Sequence, residues 1–250
     1  MKKTVTLHFY NEEYMLPWWL NHHKKVFDHG ILINYHSTDR SVEVIKEICP
    51  EWTVITSRNK DFGVTGLDAE LMDVEASVDG WRMSLSVTEF LVGNYALMDD
   101  VPNNQLVIPT VSFIDWNPTG VMDHSVDLWN QNSKIISYKT DPIFRHARSA
   151  HNFPLRYPIG GRHFLDASIN THDLAVFHFG NCITSPEMLQ RRLQIQHKIP
   201  HSDKQNRWGH NHFGWFAEDR ILTEERLIEY YESEKHKVTD VSEFIEKFNL

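Results

Sequence analysis

Cysteine is scarce in this chain: among 250 residues only Cys49 and Cys182 carry a thiol. Two thiols so far apart exclude a disulfide-stapled scaffold and a thiolate zinc site, which need clustered cysteines. They suit a reducing compartment, and a chain of this length buries a full core without staples. Long apolar runs are missing too. No stretch approaches the ~20 residues of a membrane span. Met1-Lys2-Lys3 leads only into Val5–Phe9, shorter than the roughly 7–15 apolar residues of a signal-peptide core. A soluble, cytoplasmic protein is the expectation. Positive charge is in short supply: 25 Lys and Arg stand against 34 Asp and Glu, a net charge of −9 with histidine neutral. That balance argues against non-specific nucleic-acid binding, which needs a basic surface. It is compatible with a local basic pocket for phosphates. Tyr10–Met15, just past the first strand, contains no glycine. The glycine-rich phosphate loop expected of a nucleotidyltransferase on a similar sheet is therefore missing.

What is present is an alternation of strand, polar turn and helix. Val5–Phe9 reads as a buried strand ending in Asn11-Glu12-Glu13. Over Glu12–Phe27, Leu16, Trp19, Leu20, His23 and Phe27 recur at three- and four-residue spacing, which predicts a helix. Pro17 falls in its first turns, where proline is tolerated, and Gly30 closes the segment. Ile31–Tyr35 is a second strand, ending in His36-Ser37-Thr38-Asp39-Arg40-Ser41. Arg40–Ile48 is a helix with Val42, Ile45 and Ile48 on one face, and Trp52–Thr56 is a third strand. This β-α-β-α-β order predicts a parallel sheet with right-handed crossovers. A loop (Asn59–Gly66), a helix (Leu67–Val78) and a strand (Arg82–Val87) continue it.

The second half is less regular. Leu106–Ile108, Val111–Ile114, Asn132–Tyr138 and Asp173–Phe179 read as strands. Arg145–His163 is rich in Arg, His, Pro and Gly, lacks a period, and reads as a functional loop. Thr184-Ser185-Pro186-Glu187 reads as a cap with proline in the first turn of the helix that follows. Glu224–Glu234 and Val238–Phe248 read as acidic amphipathic helices packed on the body.

In an open α/β sheet, ligands bind at the carboxyl ends of the strands. Both polar turns, Asn11-Glu12-Glu13 and Ser37-Thr38-Asp39, fall at that edge. Each alone is explained by capping of the next helix. The pair on successive strand ends is what points to a ligand. A strand ending in Asn-Glu-Glu, then one ending in Ser-Thr-Asp-Arg-Ser, resembles the nucleotide-sugar-binding half of a GT-A fold glycosyltransferase of the family-2-like, Asn-Glu-Glu type. The resemblance covers residues 4–95 and thins beyond. It implies an α/β fold with a mainly parallel, Rossmann-like sheet flanked by helices, in a single compact domain over 1–250. Residues 1–95 would bind the nucleotide sugar, 96–220 would form an irregular acceptor and diphosphate lobe, and 221–250 would be C-terminal helices. It also implies nucleoside contacts from Asn11, Glu13 and Asp39, with Arg58 meeting the base or ribose.

Such enzymes carry an Asp-x-Asp at the end of the fourth strand, often continued as Glu-Phe-Leu. Its carboxylates bind the Mn2+ or Mg2+ that bridges the diphosphate. Here the stretch ends Ser84-Leu85-Ser86-Val87-Thr88-Glu89-Phe90-Leu91. The Glu-Phe-Leu is in place, but Ser86 and Thr88 replace the aspartates. A hydroxyl is a weak neutral ligand for a hard cation, and Glu89 is the only carboxylate left in the motif. Val176-Phe177-His178-Phe179-Gly180, followed by Ser185-Pro186-Glu187, resembles the segment whose histidine completes the metal shell. The implied metal ligands are Glu89 and His178. Three outcomes stay open: weak metal binding, an enzyme that works without metal, or lost activity.

The 16 histidines concentrate in the second half, near Arg145, Arg148, Arg156, Arg162, Arg191, Arg192 and Lys198. This basic zone is an alternative means of neutralising a diphosphate. Arg162 and His163, following Gly160-Gly161, are its best candidates, since glycine permits close approach. Transfer with inversion needs a general base; Asp115 is the best-placed carboxylate, ahead of Asp123 and Asp127. Trp116, Trp129, Trp208 and Trp215 offer faces for sugar stacking or plain packing. The resemblance thus implies a glycosyltransferase that moves a sugar from a nucleotide-diphosphate donor to a hydroxyl on a glycan or glycoprotein, with inversion favoured. The alternative is a non-catalytic relative that binds a nucleotide sugar or glycan.

Overall fold

The computed structural model describes residues 1–100, 105–131, 135–137, 147–154, 156, 173–206, 221–237, 239–240 and 248. The first half alternates as its sequence predicts: β1 (Lys3–Phe9), α1 (Leu16–His23), β2 (His29–Asn34), α2 (Ser41–Ile48), β3 (Thr53–Thr56), α3 (Val64–Ala76) and β4 (Trp81–Ser84). After it come β5 (Glu89–Gly93), α4 (Leu97–Asp100), β6 (Gln105–Ile108), β7 (Thr110–Trp116), α5 (Leu128–Gln131), β8 (Ile135–Ser137) and β9 (Arg148–His151). β10 (Leu174–Ile183), α6 (Pro186–Gln194), α7 (His201–Gln205), α8 (Glu224–Glu234) and β11 (Thr239–Asp240) complete the described elements.

The fold is α/β, with a mostly parallel central sheet in the order β3-β2-β1-β4-β9-β6. β3, β2, β1 and β4 run parallel, and β9 pairs antiparallel with β4 and β6. β1 is buried from Thr4 to Phe9, as a strand covered on both faces must be. A second sheet, β11-β8-β7-β10-β5, stands beside the first.

The crossing from one sheet to the other explains why Arg82–Val87 is not one strand. Pairing with β1 ends at Ser84. Glu89 N–H then donates to the Ser86 carbonyl at 2.9 Å, closing a tight turn, and the chain enters β5 in the other sheet. Turn chemistry overrides the strand propensity of Leu85 and Val87 there.

Two further expectations are revised. Arg145–His163 contains a strand, β9, rather than loop throughout. Arg-Ser-Ala-His shows no apolar period because its polar side chains are themselves buried, at the meeting of the sheets. Val238–Phe248 does not begin as a helix: Thr239 and Asp240 pair antiparallel with β8. Most of that segment lies outside the described residues.

The core sits between α1 and the two sheets. Phe90, Phe113, Phe177 and Phe179 form an aromatic layer, with Phe113 stacked on Phe179 at 4.3 Å. From α1, Trp19 Nε1 donates to the Ser86 carbonyl at 3.1 Å. Two successive histidines on the same helix meet the outer strand of the second sheet. His22 Nε2 lies 2.6 Å from the Leu91 carbonyl, and Leu91 N–H donates to His23 Nε2 at 3.3 Å. An edge strand would otherwise leave those backbone groups open to a stray strand.

β5 ends at Gly93, where φ is +111°, and a Cβ would stand 2.1 Å from the Asp173 carbonyl oxygen. Only glycine fits both the dihedral and the space. Gly93→Ala is expected to cost about 2–3 kcal/mol, read as a lower urea midpoint with an unchanged slope. Among the described residues no helix is long and apolar enough to cross a membrane.

Candidate functional site

β1 and β2 run parallel with Phe9 opposite Asn34, so their carboxyl ends are level and the turns beyond them meet. They interlock. Asn11 takes a left-handed backbone (φ +50°), a conformation asparagine tolerates better than most residues. Its N–H donates to Ser37 Oγ at 3.0 Å, and its Oδ1 accepts from Thr38 N–H at 2.8 Å. Glu13 Oε2 accepts from Arg40 N–H at 2.8 Å, while Glu13 N–H donates to Asp39 Oδ2 at 3.0 Å. Asp39 Oδ1 also accepts from Ser41 N–H at 3.0 Å, at the start of α2. The three residues assigned to the nucleoside are therefore together, and their side chains lace one turn to the other. Glu13 is exposed, and Asn11 and Asp39 are half-buried, so the laced edge borders solvent.

The residue between them does something its sequence does not announce. Glu12 is buried, and its carboxylate receives both Nε and a terminal nitrogen of Arg191 on α6, the latter at 2.8 Å. Burial pushes the Glu12 pKa up, and Arg191 pulls against that shift. Gln194, also on α6, donates to the Asn11 carbonyl at 2.8 Å. Helix α6 thus clamps the first turn. Its start is well specified: Ser185 caps it through Met188 N–H, and Pro186 follows. A pairing across such sequence distance leaves no local signal beyond the presence of a basic zone.

Arg58 lies just past β3, whose end is tied to that of β2 by Ser57 N–H donating to the Asn34 carbonyl at 2.9 Å. Its guanidinium pairs with Asp73 on α3 at 2.7 Å, and Arg156 approaches the same carboxylate at 3.5 Å. Its backbone N–H donates to Glu70 Oε1 at 2.7 Å. Glu70 also takes Tyr35 Oη, Ser57 Oγ and Asn59 Nδ2. Burial works against the Glu70 charge, but these hydrogen bonds prevail and lower its pKa. They hold the turn after β3 and leave Arg58 directed down α3.

The Ser86–Glu89 turn and His178 are brought together. Glu89 opens β5 and His178 lies directly opposite it on β10. Thr88 is buried, and its carbonyl accepts from Phe179 N–H at 2.8 Å. His178 Nδ1 stands 3.5 Å from Ser112 Oγ on β7. Gly180 makes room for the ring, since a Cβ there would lie 2.4 Å from His178 Nε2. Burial lowers the His178 pKa to about 4; Glu89 acts to raise it, while Arg148, Arg192 and Arg191 act to lower it. His178 is thus neutral at pH 7. Arg148 on β9 and Arg191 and Arg192 on α6, all part of the basic zone read from the sequence, act on it electrostatically. Arg192 is itself pushed down to about 10 by burial and by its neighbour Arg191.

Glu89 is already engaged. Arg148 Nε donates to its Oε2 at 3.0 Å and a terminal nitrogen to its Oε1 at 2.5 Å. Ser86 N–H adds a third bond to Oε2 at 2.8 Å. Both partners are buried, so the ion pair is a bolt between β9 of the first sheet and β5 of the second. A hard divalent cation wants several free oxygens at about 2.0–2.6 Å. Around this position stand two hydroxyl residues, one imidazole and a carboxylate held by a guanidinium. Among the described residues that donor set does not fit Mn2+ or Mg2+ at Glu89 and His178. Among the described residues no group of three or more His, Cys, Asp or Glu is placed to hold a metal.

Asp115 is not beside this pair. It lies three positions beyond Ser112 on β7, so strand alternation directs it to the other face, roughly 10 Å further along at about 3.3 Å per residue. It accepts from Trp116 N–H at 2.8 Å and neighbours Cys182 and Tyr231, whose pKa values burial and its charge both raise. Trp129 is buried among His22, Phe90 and Phe177, which is packing. Arg162, His163, Trp208 and Trp215 lie outside the described residues.

No protein-family model matches the chain, and no curated protein matches it. Solved structures do. TarS of S. aureus is matched at 14% identity and a TM-score of 0.43, over 88% of this chain and 44% of that one. TarS 1–349 of S. aureus in complex with UDP-GlcNAc is matched at 16% identity and a TM-score of 0.35, over 49% of this chain and 37% of that one. Glucosyl-3-phosphoglycerate synthase from Mycobacterium tuberculosis, in complex with Mn2+ and uridine-diphosphate-glucose, is matched at 12% identity and a TM-score of 0.33, over 45% of this chain and 44% of that one. The chain thus spans less than half the length of each of these structures.

Proposed function

We propose that this chain is a GT-A fold glycosyltransferase that binds a nucleotide-diphosphate sugar at the carboxyl edge of β1 and β2 and transfers the sugar to a hydroxyl of a glycan or glycoprotein. The observation that carries the reading is the meeting of the two polar turns on level parallel strand ends, with α6 clamped onto them by Arg191 and Gln194. Strand ends of open α/β sheets are where nucleotides bind. The nucleoside would lie against Asn11, Glu13 and Asp39, whose present hydrogen bonds shape the turns in advance. The diphosphate would extend toward Ser86, Thr88 and the arginines around His178, with Arg162 and His163 as further candidates.

Isothermal calorimetry with uridine, guanosine, cytidine and adenosine diphosphates tests this. One or more is expected to bind in the micromolar to millimolar range; no binding by any would end the reading. Asp39→Asn keeps one acceptor for the turn and removes the charge. It is expected to weaken nucleotide binding about tenfold with little change in melting temperature. An unchanged affinity would remove Asp39 from the site.

One observation favours the alternative of a binding module without transfer. Ser86 and Thr88 stand where the motif would carry its two aspartates, and Glu89 is held by Arg148. Binding of nucleotide without donor hydrolysis or transfer over a panel of acceptors would establish that reading instead.

A further inference from the structure

The turn after β2, residues 34–39, uses nearly all of its side chains to hold itself and its neighbour. Asn34 Oδ1 accepts from Ser37 N–H at 2.8 Å. Tyr35 is buried, and its hydroxyl donates to Glu70 at 3.0 Å. Ser37 Oγ accepts from Asn11 N–H at 3.0 Å, and Thr38 Oγ1 from Asn11 Nδ2 at 3.3 Å. The two oxygens of Asp39 accept from Glu13 N–H and Ser41 N–H. His36 differs from all five. It is exposed, and among the described residues its imidazole has no hydrogen bond, ion pair or ring contact. We infer that the His36 imidazole contacts the nucleoside at the laced edge, as a further binding residue beside Asn11, Glu13 and Asp39. The inference rests on the nucleotide-sugar reading above and adds a residue to that same site.

The backbone gives a second reason. His36 has φ +57°, in the left-handed region. Among the described residues Asn11 is the other non-glycine residue with positive φ, at +50°. Asn11 has a structural reason to be there, since its side chain bonds to Thr38. For His36 the backbone favours glycine, which takes this conformation without strain, and no packing contact calls for an imidazole. Side chains kept at such positions cluster at ligand sites. The position itself is the third reason. Tyr35 N–H, on one side, donates to the Phe9 carbonyl at 2.9 Å, and Ser37, on the other, receives Asn11 N–H. His36 therefore sits at the seam between the two turns, on the strand edge where open α/β sheets bind ligands. A neutral imidazole offers one N–H donor and one nitrogen acceptor. Those suit ribose hydroxyls and the polar edge of a base.

His36→Gly separates a ligand contact from a turn residue. Glycine keeps the left-handed backbone, and its greater freedom in the unfolded chain opposes the strain it relieves. The melting temperature is expected to stay within about 3 °C of the wild type. The four nucleoside diphosphates are titrated by calorimetry into both proteins. The one that binds the wild type best is expected to bind His36→Gly about fivefold more weakly or worse, the loss of one hydrogen bond. Equal affinity would overturn the inference and leave the nucleotide-sugar reading standing. Binding of none of the four to the wild type would end that reading, and this inference with it. A second measurement uses the unaltered protein. The His36 Hε1 resonance, assigned by its absence from His36→Asn, is followed by NMR during titration with the same diphosphate. It is expected to shift as the site fills. A resonance that stays in place at saturation would overturn the inference, whatever the stability of the variants.

Discussion

Arg148→Met is expected to destabilise the protein by about 3–5 kcal/mol, because it strands the Glu89 carboxylate in a buried place. Glu89 is 2% exposed, and Arg148 accounts for two of its hydrogen bonds. The loss reaches beyond one contact. Glu89 belongs to β5 and Arg148 to β9, so the pair joins the two sheets beside the Ser86 turn. Removing both charges together is expected to cost far less, within about 1–2 kcal/mol of the wild type, since paired buried ions contribute little net stability beyond their hydrophobic replacements. Urea unfolding of wild type, single and double variants gives the coupling directly. A loss in the double variant equal to the sum of the two single losses would show that the two residues act independently and that the bolt is not an ion pair in solution.

Acid is expected to destabilise the fold well before its surface carboxylates titrate. Burial lowers the pKa values of His22, His23 and His151, the last to about 4. In the unfolded chain these imidazoles titrate near 6.5. Between those values the unfolded state binds more protons, so stability is full above about pH 6.5 and falls as pH drops toward 4. For His151 alone the shift corresponds to about 3 kcal/mol. Glu75 stands 3.8 Å from its Nε2, too far for a hydrogen bond, while Arg82 opposes a second positive charge there. His23 adds a geometric reason. Its Nε2 accepts from Leu91 N–H while its Nδ1 faces the Trp19 carbonyl, which only the neutral ring can do. His23→Leu is expected to cost about 2 kcal/mol at pH 7 and to lessen the further loss at pH 5. Equal urea midpoints at pH 7 and pH 5 for the wild type would contradict this account.

Much of the first half was legible because its signals are local. Helical spacing marks α1, α2 and α3, and polar residues mark the turns after Phe9 and Asn34. Parallel pairing of β1 with β2 then brings Asn11, Glu13 and Asp39 to one edge, as their sequence positions imply. What was not legible depends on distant polar pairs. Nothing in Arg-Ser-Ala-His announces a fully buried strand, because Arg148 and Ser149 pair with side chains far away in sequence, Glu89 and Gln105. The switch of sheets at Ser86–Glu89 was hidden for a related reason: Leu85 and Val87 keep an apolar alternation across a turn closed by Glu89 N–H. The exposed pairing of Arg58 with Asp73 on α3 likewise joins residues with no shared local pattern.

The central claim is that the two laced turns form a nucleotide-binding edge. Hydrogen–deuterium exchange with and without a saturating uridine or guanosine diphosphate tests it most directly. The backbone amides of residues 10–14 and 36–41 are expected to slow together when nucleotide is added, since the ligand would rigidify both turns at once. Slowing in neither turn, with the nucleotide shown to be bound, would contradict the claim and place the site elsewhere on the molecule.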